Sequence, residues 1–360
     1  MKFRGLDYRL PLAALALTAS FPISEAAAAC TPTGFIRDSI DLTAAMINPP
    51  GTVRGDVDAT GCNIGIYYGP GAKGKVNLAN VHGANYFGIV NNGADVEITN
   101  SAISDIGEKP FNGTQHGVAI YFNFQSAARG KIEGNYIWNY QKGGIAVNGS
   151  VKEVNIERNT VTGLGPVNFI AQNGIQVGYG AKAKVQQNYV TGNSYTGPGQ
   201  TASGGILLVG GPCYGGNLQT NTQVQSNIAT GNDVGVWLSN LDAVCNPPAA
   251  LTKNTAQLNI LLNNALNNTT GNGPTQGYQA GISDQGNGDT IQLNEICGLG
   301  YEPPGTATTA AFAIDVTFTN NPKVKNNTFC QDPYSPPSSS SASARSAIMQ
   351  AAMRSPAAYK

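Results

Sequence analysis

Apolar and polar positions recur in two short phrases along most of the chain. The first phrase, apolar–x–x–Asn–x–apolar, recurs seven times, with its asparagine at Asn135, Asn159, Asn188, Asn227, Asn264, Asn294 and Asn327. Two earlier copies carry Ala79 and Ser101 instead. The second phrase, a glycine followed by alternating apolar residues, falls between successive copies, as at Gly144-Ile145. Period-two alternation predicts β-strands, and the recurring Gly and Asn predict the turns between them.

The length of the repeat limits the possible architectures. Repeats span from 22 residues (Ala79 to Ser101) to 39 residues (Asn188 to Asn227), with no helical pattern between the phrases. Leucine-rich repeats would need a leucine ladder, and propeller blades would need four strands per repeat. A solenoid of about nine to ten stacked coils fits instead. An asparagine at each corner tolerates the left-handed backbone region, and its amide can bond to the next coil, which predicts an asparagine ladder.

On these two phrases, the sequence resembles the right-handed parallel β-helix proteins of the pectate-lyase-like superfamily. The resemblance covers about residues 50–330 and implies an all-β, single-stranded, right-handed parallel β-helix. It implies no activity, because the scaffold hosts many chemistries. The aspartate pair of polygalacturonases, the arginine segment of pectate lyases and the Asp-Pro-His of alginate epimerases are missing. No catalytic residue is therefore transferred from these enzymes.

The N-terminus has the features of a secretory signal peptide. Lys2, Arg4 and Arg9 precede a short apolar run, and small residues up to Ala29 supply a cleavage site, so residues 1–29 are predicted to be removed. Lipidation of Cys30 remains an alternative. We expect a secreted or periplasmic protein without a membrane span, since no other apolar stretch approaches ~20 residues.

Composition and cysteine usage agree with export. The formal net charge is zero, with 12% charged residues, which argues against a nucleic-acid partner. All six cysteines follow the signal peptide, and neither CxxC pairs nor histidines at zinc spacing are present. Three local disulfides are predicted, namely Cys30–Cys62, Cys213–Cys245 and Cys297–Cys330.

The mature chain is divided into three parts. Residues 30–50 are predicted to cap the solenoid, with 36–48 as a helix, residues 51–330 form the β-helix, and the Pro/Ser/Ala-rich residues 331–360 form a disordered tail.

Unequal loop lengths suggest a trough on one side of the rod. The interval from Asn135 to Gly144 is 9 residues, whereas Ser101 to Gly117 takes 16 and Asn159 to Gly174 takes 15. The short turn should therefore form a floor between two longer loops. The substrate-binding candidates are Asp105, Glu108, Lys109, Trp138, Tyr140, Gln141, Lys142, Asn168, Gln172 and Tyr195. Aromatic rings among amides suit a sugar chain.

Two functions are compatible with this surface. One is a non-catalytic β-helix that binds a polysaccharide or cell-surface glycan or serves as a structural rod. The other is a polysaccharide lyase or other carbohydrate-active enzyme acting on an acidic polysaccharide, with His116, Tyr140 and Lys142 as catalytic candidates. The sequence leaves the oligomeric state open.

Two acidic groups have alternative interpretations. Glu133 and Glu157 lie at equivalent positions of adjacent coils, as in a retaining glycosidase, but flanking Lys131 and Arg158 favour a solvated charge cluster. Residues 284–289 resemble a calcium loop, although a plain turn is favoured. We therefore expect no metal or cofactor, with Ca²⁺ as the alternative.

Overall fold

Short strands dominate the protein in a computed structural model that describes residues 29–123, 128–198, 201–264, 278–298, 300–301 and 310–329. The predicted signal peptide, apart from Ala29, and the predicted tail lie outside these residues. The described part contains 29 strands and one short 3-10 helix, Pro212–Tyr214. The predicted all-β fold is confirmed.

The strands follow one another at short intervals. The first ten are β1 (Thr31–Arg37), β2 (Ile40–Ile47), β3 (Thr52–Asp58), β4 (Ile64–Tyr68), β5 (Lys73–His82), β6 (Phe87–Asn91), β7 (Asp95–Thr99), β8 (Ala102–Ser104), β9 (Val118–Phe122) and β10 (Arg129–Glu133). The next ten are β11 (Tyr136–Trp138), β12 (Gly143–Asn148), β13 (Glu153–Glu157), β14 (Thr160–Val167), β15 (Asn173–Gly178), β16 (Ala183–Gln186), β17 (Tyr189–Tyr195), β18 (Gly204–Gly210), β19 (Gln223–Gln225) and β20 (Ile228–Thr230). The last nine are β21 (Val234–Asn240), β22 (Thr255–Gln257), β23 (Ile260–Leu262), β24 (Tyr278–Asp284), β25 (Thr290–Gln292), β26 (Glu295–Cys297), β27 (Ala310–Asp315), β28 (Lys323–Lys325) and β29 (Thr328–Phe329).

These strands build three faces of a parallel β-helix. Face A is the 11-stranded sheet, which contains β1, β2, β4, β6, β9, β12, β15, β18, β21, β24 and β27. The 18-stranded sheet bends at a corner in each coil, so it supplies two faces. Face B contains β7, β10, β13, β16, β19, β22, β25, β28 and the first parts of β3 and β5. Face C contains β8, β11, β14, β17, β20, β23, β26, β29 and the last parts of β3 and β5.

Each coil buries apolar side chains from all three faces in one central core. In a single coil, Ile132 comes from face B, Ile137 from face C and Ile145 from face A, and all three are fully buried in the same cluster. Parallel pairing sets each of them directly over its equivalent, as in Ile145↔Ile175. The period-two alternation in the sequence therefore corresponds to inward and outward positions.

The recurring glycine lies near the start of a face A strand, where the coils approach closely. A Cβ added at Gly144 would stand 2.4 Å from a methyl of Val161 and 2.6 Å from the carbonyl oxygen of Gly174. A Cβ at Gly174 would meet the carbonyl oxygen of Gly205 at 2.7 Å. No side chain fits there, because the next coil's backbone occupies the space.

Asparagines form the predicted ladder at the corner between faces B and C. The backbone N–H and the Nδ2 of Asn159 both donate to Oδ1 of Asn188 at 3.0 Å, and Nδ2 also donates to the Ile132 carbonyl at 2.9 Å. The same pattern continues through Asn227 to Asn327, and at the other end Ser101 donates its N–H to Asn135.

One predicted ladder position is wrong. Asn259, rather than Asn264, accepts from Asn227 and donates to Asn294. The segment contains two overlapping copies of the phrase, and the copy around Asn259 places Ala256 and Leu261 in the core. Asn264 is exposed.

A second, shorter ladder follows face C and was not predicted. Asn193 donates its N–H and Nδ2 to Oδ1 of Asn232 at 3.0 and 2.9 Å. Asn263, directly before Asn264, donates to the Asn232 carbonyl at 2.9 Å.

The helix expected at 36–48 is also wrong. The segment belongs to an antiparallel hairpin of β1 and β2, and β2 pairs in parallel with β4. Leu42 and Ala44 are buried while Thr43 bonds to the Asn63 side chain, so the apolar residues follow a strand period. Phe35 of the hairpin packs over the outer side of face A, with its ring centroid 6.1 Å from that of Tyr67.

Two disulfides join the predicted cysteines. Cys30–Cys62 and Cys213–Cys245 have Cα–Cα distances of 5.3 and 5.1 Å. Cys330, the predicted partner of Cys297, lies outside the described residues.

The ladder predicts a large, local loss of stability. Asn188→Leu removes the acceptor of two buried donors of Asn159, and each unsatisfied buried donor costs ~1–3 kcal/mol. We expect the free energy of unfolding, measured by urea denaturation, to fall by about 3 kcal/mol. The control Asn264→Leu should change it by less than about 0.5 kcal/mol. Equal losses in both variants would contradict the register given above.

Candidate functional site

Face A has no open outer surface along most of its length. Its strands, such as β12 and β15, are buried on both sides. The hairpin covers one end, and farther along the outward Leu207 and Trp237 pack in a cluster with Tyr214 of the 3-10 helix. A binding surface on the rod must therefore be sought on the loops or on faces B and C.

The floor of the predicted trough is closed. Tyr140 is fully buried in the central core, and its hydroxyl donates to Oδ1 of Asn193 at 2.6 Å. Gln141 and Gln172 are fully buried too. The long loops fold over the short turn between them instead of standing beside it.

Two buried glutamines hold these loops down. Oε1 of Gln141 accepts from the N–H groups of Glu108 and Asn112 at 3.1 and 3.2 Å, and its Nε2 donates to the Thr114 carbonyl. Oε1 of Gln172 accepts from the Leu164 N–H, and its Nε2 donates to the Tyr140 carbonyl at 2.6 Å. These amides replace backbone pairing for the loops, which explains why they are buried.

Lys142 is a buried base. It is 2% exposed, and Nζ donates to the Ala171 carbonyl at 2.8 Å. Burial disfavours the charged form and lowers the pKa of Lys142 to about 8. In this position it cannot neutralise the carboxylate of a bound sugar.

His116 lies in a small cluster near the surface. Its Nε2 is 2.6 Å from Oε1 of Glu108, and its ring stacks on Tyr86 with a centroid distance of 3.9 Å. Burial, followed by the charge of Asp38 and Glu108, raises the pKa of Tyr86. His116 is mostly buried, while Glu108 reaches solvent.

The remaining substrate-binding candidates on the loops do not form one surface. Asp105 accepts from the Asn139 side chain, and the Asp105 carbonyl accepts from Nζ of Lys109 at 3.1 Å. Asn168 is exposed, and Tyr195 is buried, which raises its pKa. Loops that close over their own polar groups leave little for a ligand.

Trp138 belongs to a different surface. It lies beside Tyr136 on the outward side of β11, with ring centroids 4.7 Å apart. Parallel register extends this position along face C, so that Tyr136, Thr160, Tyr189 and Ile228 stand in one row.

This outward surface is a strip of apolar and hydroxyl side chains five coils long. Tyr136 is 50% exposed and Tyr189 is 41% exposed. We call the following set the aromatic strip: Tyr136, Trp138, Thr160, Thr162, Tyr189, Thr191, Ile228, Thr230, Ile260 and Leu262. Thr230 donates to Oγ1 of Thr191 at 2.9 Å and lies 3.3 Å from the Tyr189 hydroxyl, which orders the surface. At ~4.8 Å per coil the strip is about 20 Å long.

Of the predicted site residues, Trp138 alone lies on this strip. The sequence does contain a signal for one row of the strip, because the residue after each ladder asparagine begins a face C strand and points outward. Reading that position gives Tyr136, Tyr189 and Ile228, large residues that an exposed position does not require.

The two acidic groups are engaged by neighbouring residues. Glu133 forms ion pairs with Lys131 and Arg158, and Arg158 also lies 3.6 Å from Glu157, as expected of a charge cluster. Asp284 and Asp289 are fully buried. Burial, followed by the charge of Asp289, raises the pKa of Asp284, while Asp289 accepts from Thr252 at 2.6 Å.

These features define a parallel β-solenoid with exposed aromatic side chains on face C. The family model for a right-handed β-helix region matches residues 55–246, more than half of the chain. The chain belongs to this right-handed β-helix family. A search of curated proteins finds no match to the sequence.

The comparison with solved structures gives a match of low similarity. The chain is similar to the Dettilon tailspike protein, with 12% identity and a TM-score of 0.41, over 78% of this chain and 61% of the tailspike. The chain thus spans about three-fifths of the tailspike's length. Among the described residues, no helix has the length and apolar character needed to cross a membrane.

Burial of Lys142 predicts a pH dependence of stability. The pKa falls from 10.5 to about 8 on folding, so between these values the unfolded state binds more protons and the free energy of unfolding rises with pH. The full difference corresponds to about 3 kcal/mol. Urea denaturation between about pH 8 and pH 9.5 should show part of this rise, before the buried tyrosines oppose it.

Lys142→Met is the matched control. It should be at least as stable as the wild type at neutral pH and should lack the rise, because the penalty of burying the charge is gone. An equal rise in both proteins would show that Lys142 reaches solvent and that the trough is open.

Proposed function

We propose that this chain is an exported, non-catalytic glycan-binding protein that holds a sugar chain along the aromatic strip. The observation that carries this proposal is the pair of exposed rings Tyr136 and Tyr189 on face C, with half-buried Trp138 beside Tyr136. Tyrosine and tryptophan rings offer apolar faces for sugar C–H groups, while threonine hydroxyls bond to sugar hydroxyls.

Rigidity supports this proposal. Each ring stands on a strand that pairs on both sides: β11 pairs with β8 and β14, and β17 pairs with β14 and β20. The rings therefore lose little freedom when a ligand binds. Repetition along the rod gives equivalent contacts to successive sugars, which suits a polymer better than a small ligand.

The burial of the catalytic candidates also favours binding over catalysis. All three catalytic candidates are buried, with Tyr140 at 0%, Lys142 at 2% and His116 at 8% exposure. A polysaccharide lyase remains the alternative, with His116 as its base beside Glu108. Incubation with uronate polysaccharides, followed by the absorbance of unsaturated products, tests it, and product formation that His116→Gln abolishes would favour the enzyme.

The strip is tested by removing its rings. Tyr136→Ala combined with Tyr189→Ala should weaken binding of the best neutral oligosaccharide from a cello-, xylo- and manno-oligosaccharide panel by about tenfold or more. Isothermal titration calorimetry measures the affinity. The emission of half-buried Trp138 should also respond to the ligand, since Trp237 is buried.

Two controls separate stacking from folding. Tyr136→Phe with Tyr189→Phe keeps both rings and should keep most of the affinity. Ile36→Ala with Val244→Ala removes exposed apolar side chains elsewhere and should change nothing. Unchanged binding in the double alanine variant, or no binding of any oligosaccharide by the wild type, would overturn the strip.

A further inference from the structure

A groove of about 640 Å³ lies beside face B, away from the aromatic strip. It follows the turns that lead from face A into β13, β16 and β19. The side chains of interest in its lining are Lys152, Glu153, Lys182, Lys184, Asn221 and Gln223. The groove therefore carries three positive charges and one negative charge, on a chain whose formal net charge is zero.

These lysines differ in their pairing from two other lysines of the same sheet. Lys75 and Lys131 each form an ion pair with a glutamate. Lys152, Lys182 and Lys184 are exposed, and within the described part of the chain none of them lies in an ion pair. Lys182 and Lys184 are two residues apart, and side chains alternate along a strand with a period of two. Both lysines therefore point outward, while Val185 enters the core.

One side of the groove is formed by the end of a turn that is much longer than its neighbours. The turn between β18 and β19 includes the 3-10 helix, whereas the turns before β13 and β16 take only a few residues. Cys213 of this excursion is bonded to Cys245 of the next coil's excursion. The groove itself is lined by the end of this turn, where the amide side chains of Asn221 and Gln223 lie near the lysines.

We propose that this groove binds the anionic groups, carboxylate or sulfate, of an acidic glycan. The proposal rests on the proposed glycan-binding function but uses a second surface of the same coils. Lysines without an ion-pair partner attract anionic oxygens at separated points along a glycan. The amide side chains of Asn221 and Gln223 can bond to the hydroxyl groups of the same glycan. The described lining of this groove is polar and charged rather than aromatic, so charge must supply the selectivity.

The test compares ligands that differ in charge. Oligogalacturonate and a heparin-derived oligosaccharide represent carboxylate and sulfate, and fully methyl-esterified oligogalacturonate is the uncharged match. We expect the wild type to bind one of the two acidic ligands more tightly than the ester, with an affinity that falls as salt rises. Lys152→Gln, Lys182→Gln and Lys184→Gln together should reduce that affinity about tenfold and flatten its salt dependence.

A charge-matched variant exists on the same face. Lys323 and Lys325 on β28 have the same spacing as Lys182 and Lys184, and the strand register places Lys323 in the same outward row as Lys184. Lys253→Gln, Lys323→Gln and Lys325→Gln together therefore remove equal charge without touching the groove. This control should keep its affinity within about twofold.

Three results would overturn the proposed anion-binding groove. Equal losses in the two triple variants would show attraction to net charge alone and would overturn the groove. So would equal binding of the acidic ligands and the ester, or no binding of either acidic ligand. Failure of the groove leaves the strip standing, because the strip is judged by neutral oligosaccharides and by tyrosine variants. Far-UV circular dichroism and thermal melting check that both triple variants fold.

Discussion

The amide of an asparagine side chain, shared between two coils, is the interaction on which the rest of the structure depends. Asn159 satisfies its own backbone N–H and its Nδ2 through the single Oδ1 of Asn188, so each coil is positioned by the next. At such a corner each buried donor has an acceptor. Without the asparagine, a bend in the sheet would leave buried backbone N–H groups unpaired. Once the corner is in register, Ile145 falls over Ile175 and the core closes.

Much of the fold was accessible from the sequence, because the period-two alternation and the ladder asparagines are local. The error at Asn264 came from two overlapping phrases, and burial of Leu261 decides between them. The helix expected at 36–48 failed because a short apolar segment can have either period, and pairing of β2 with β4 selects the strand. Such pairing depends on the first coil, which lies later in the chain.

The candidate site was harder to predict, since loop length says nothing about loop direction. The turn at Tyr140 does lie between two long loops, as expected, but Gln141 and Gln172 draw those loops inward. A glutamine that binds a ligand and one that binds a loop look alike in sequence. Tyr136 and Tyr189, by contrast, follow ladder asparagines, and their outward direction follows from the register alone.

The fixed position of the recurring glycine has a consequence for how such a protein can vary. Between Asn135 and Gly144 the chain takes 9 residues, and between Asn159 and Gly174 it takes 15, yet the strands after the two glycines pair without a shift. Residues inserted between the asparagine and the glycine therefore lengthen the loop without changing the strand register of the next coil. The outer loop of one coil can thus be lengthened, shortened or exchanged while the stacking of the coils stays the same.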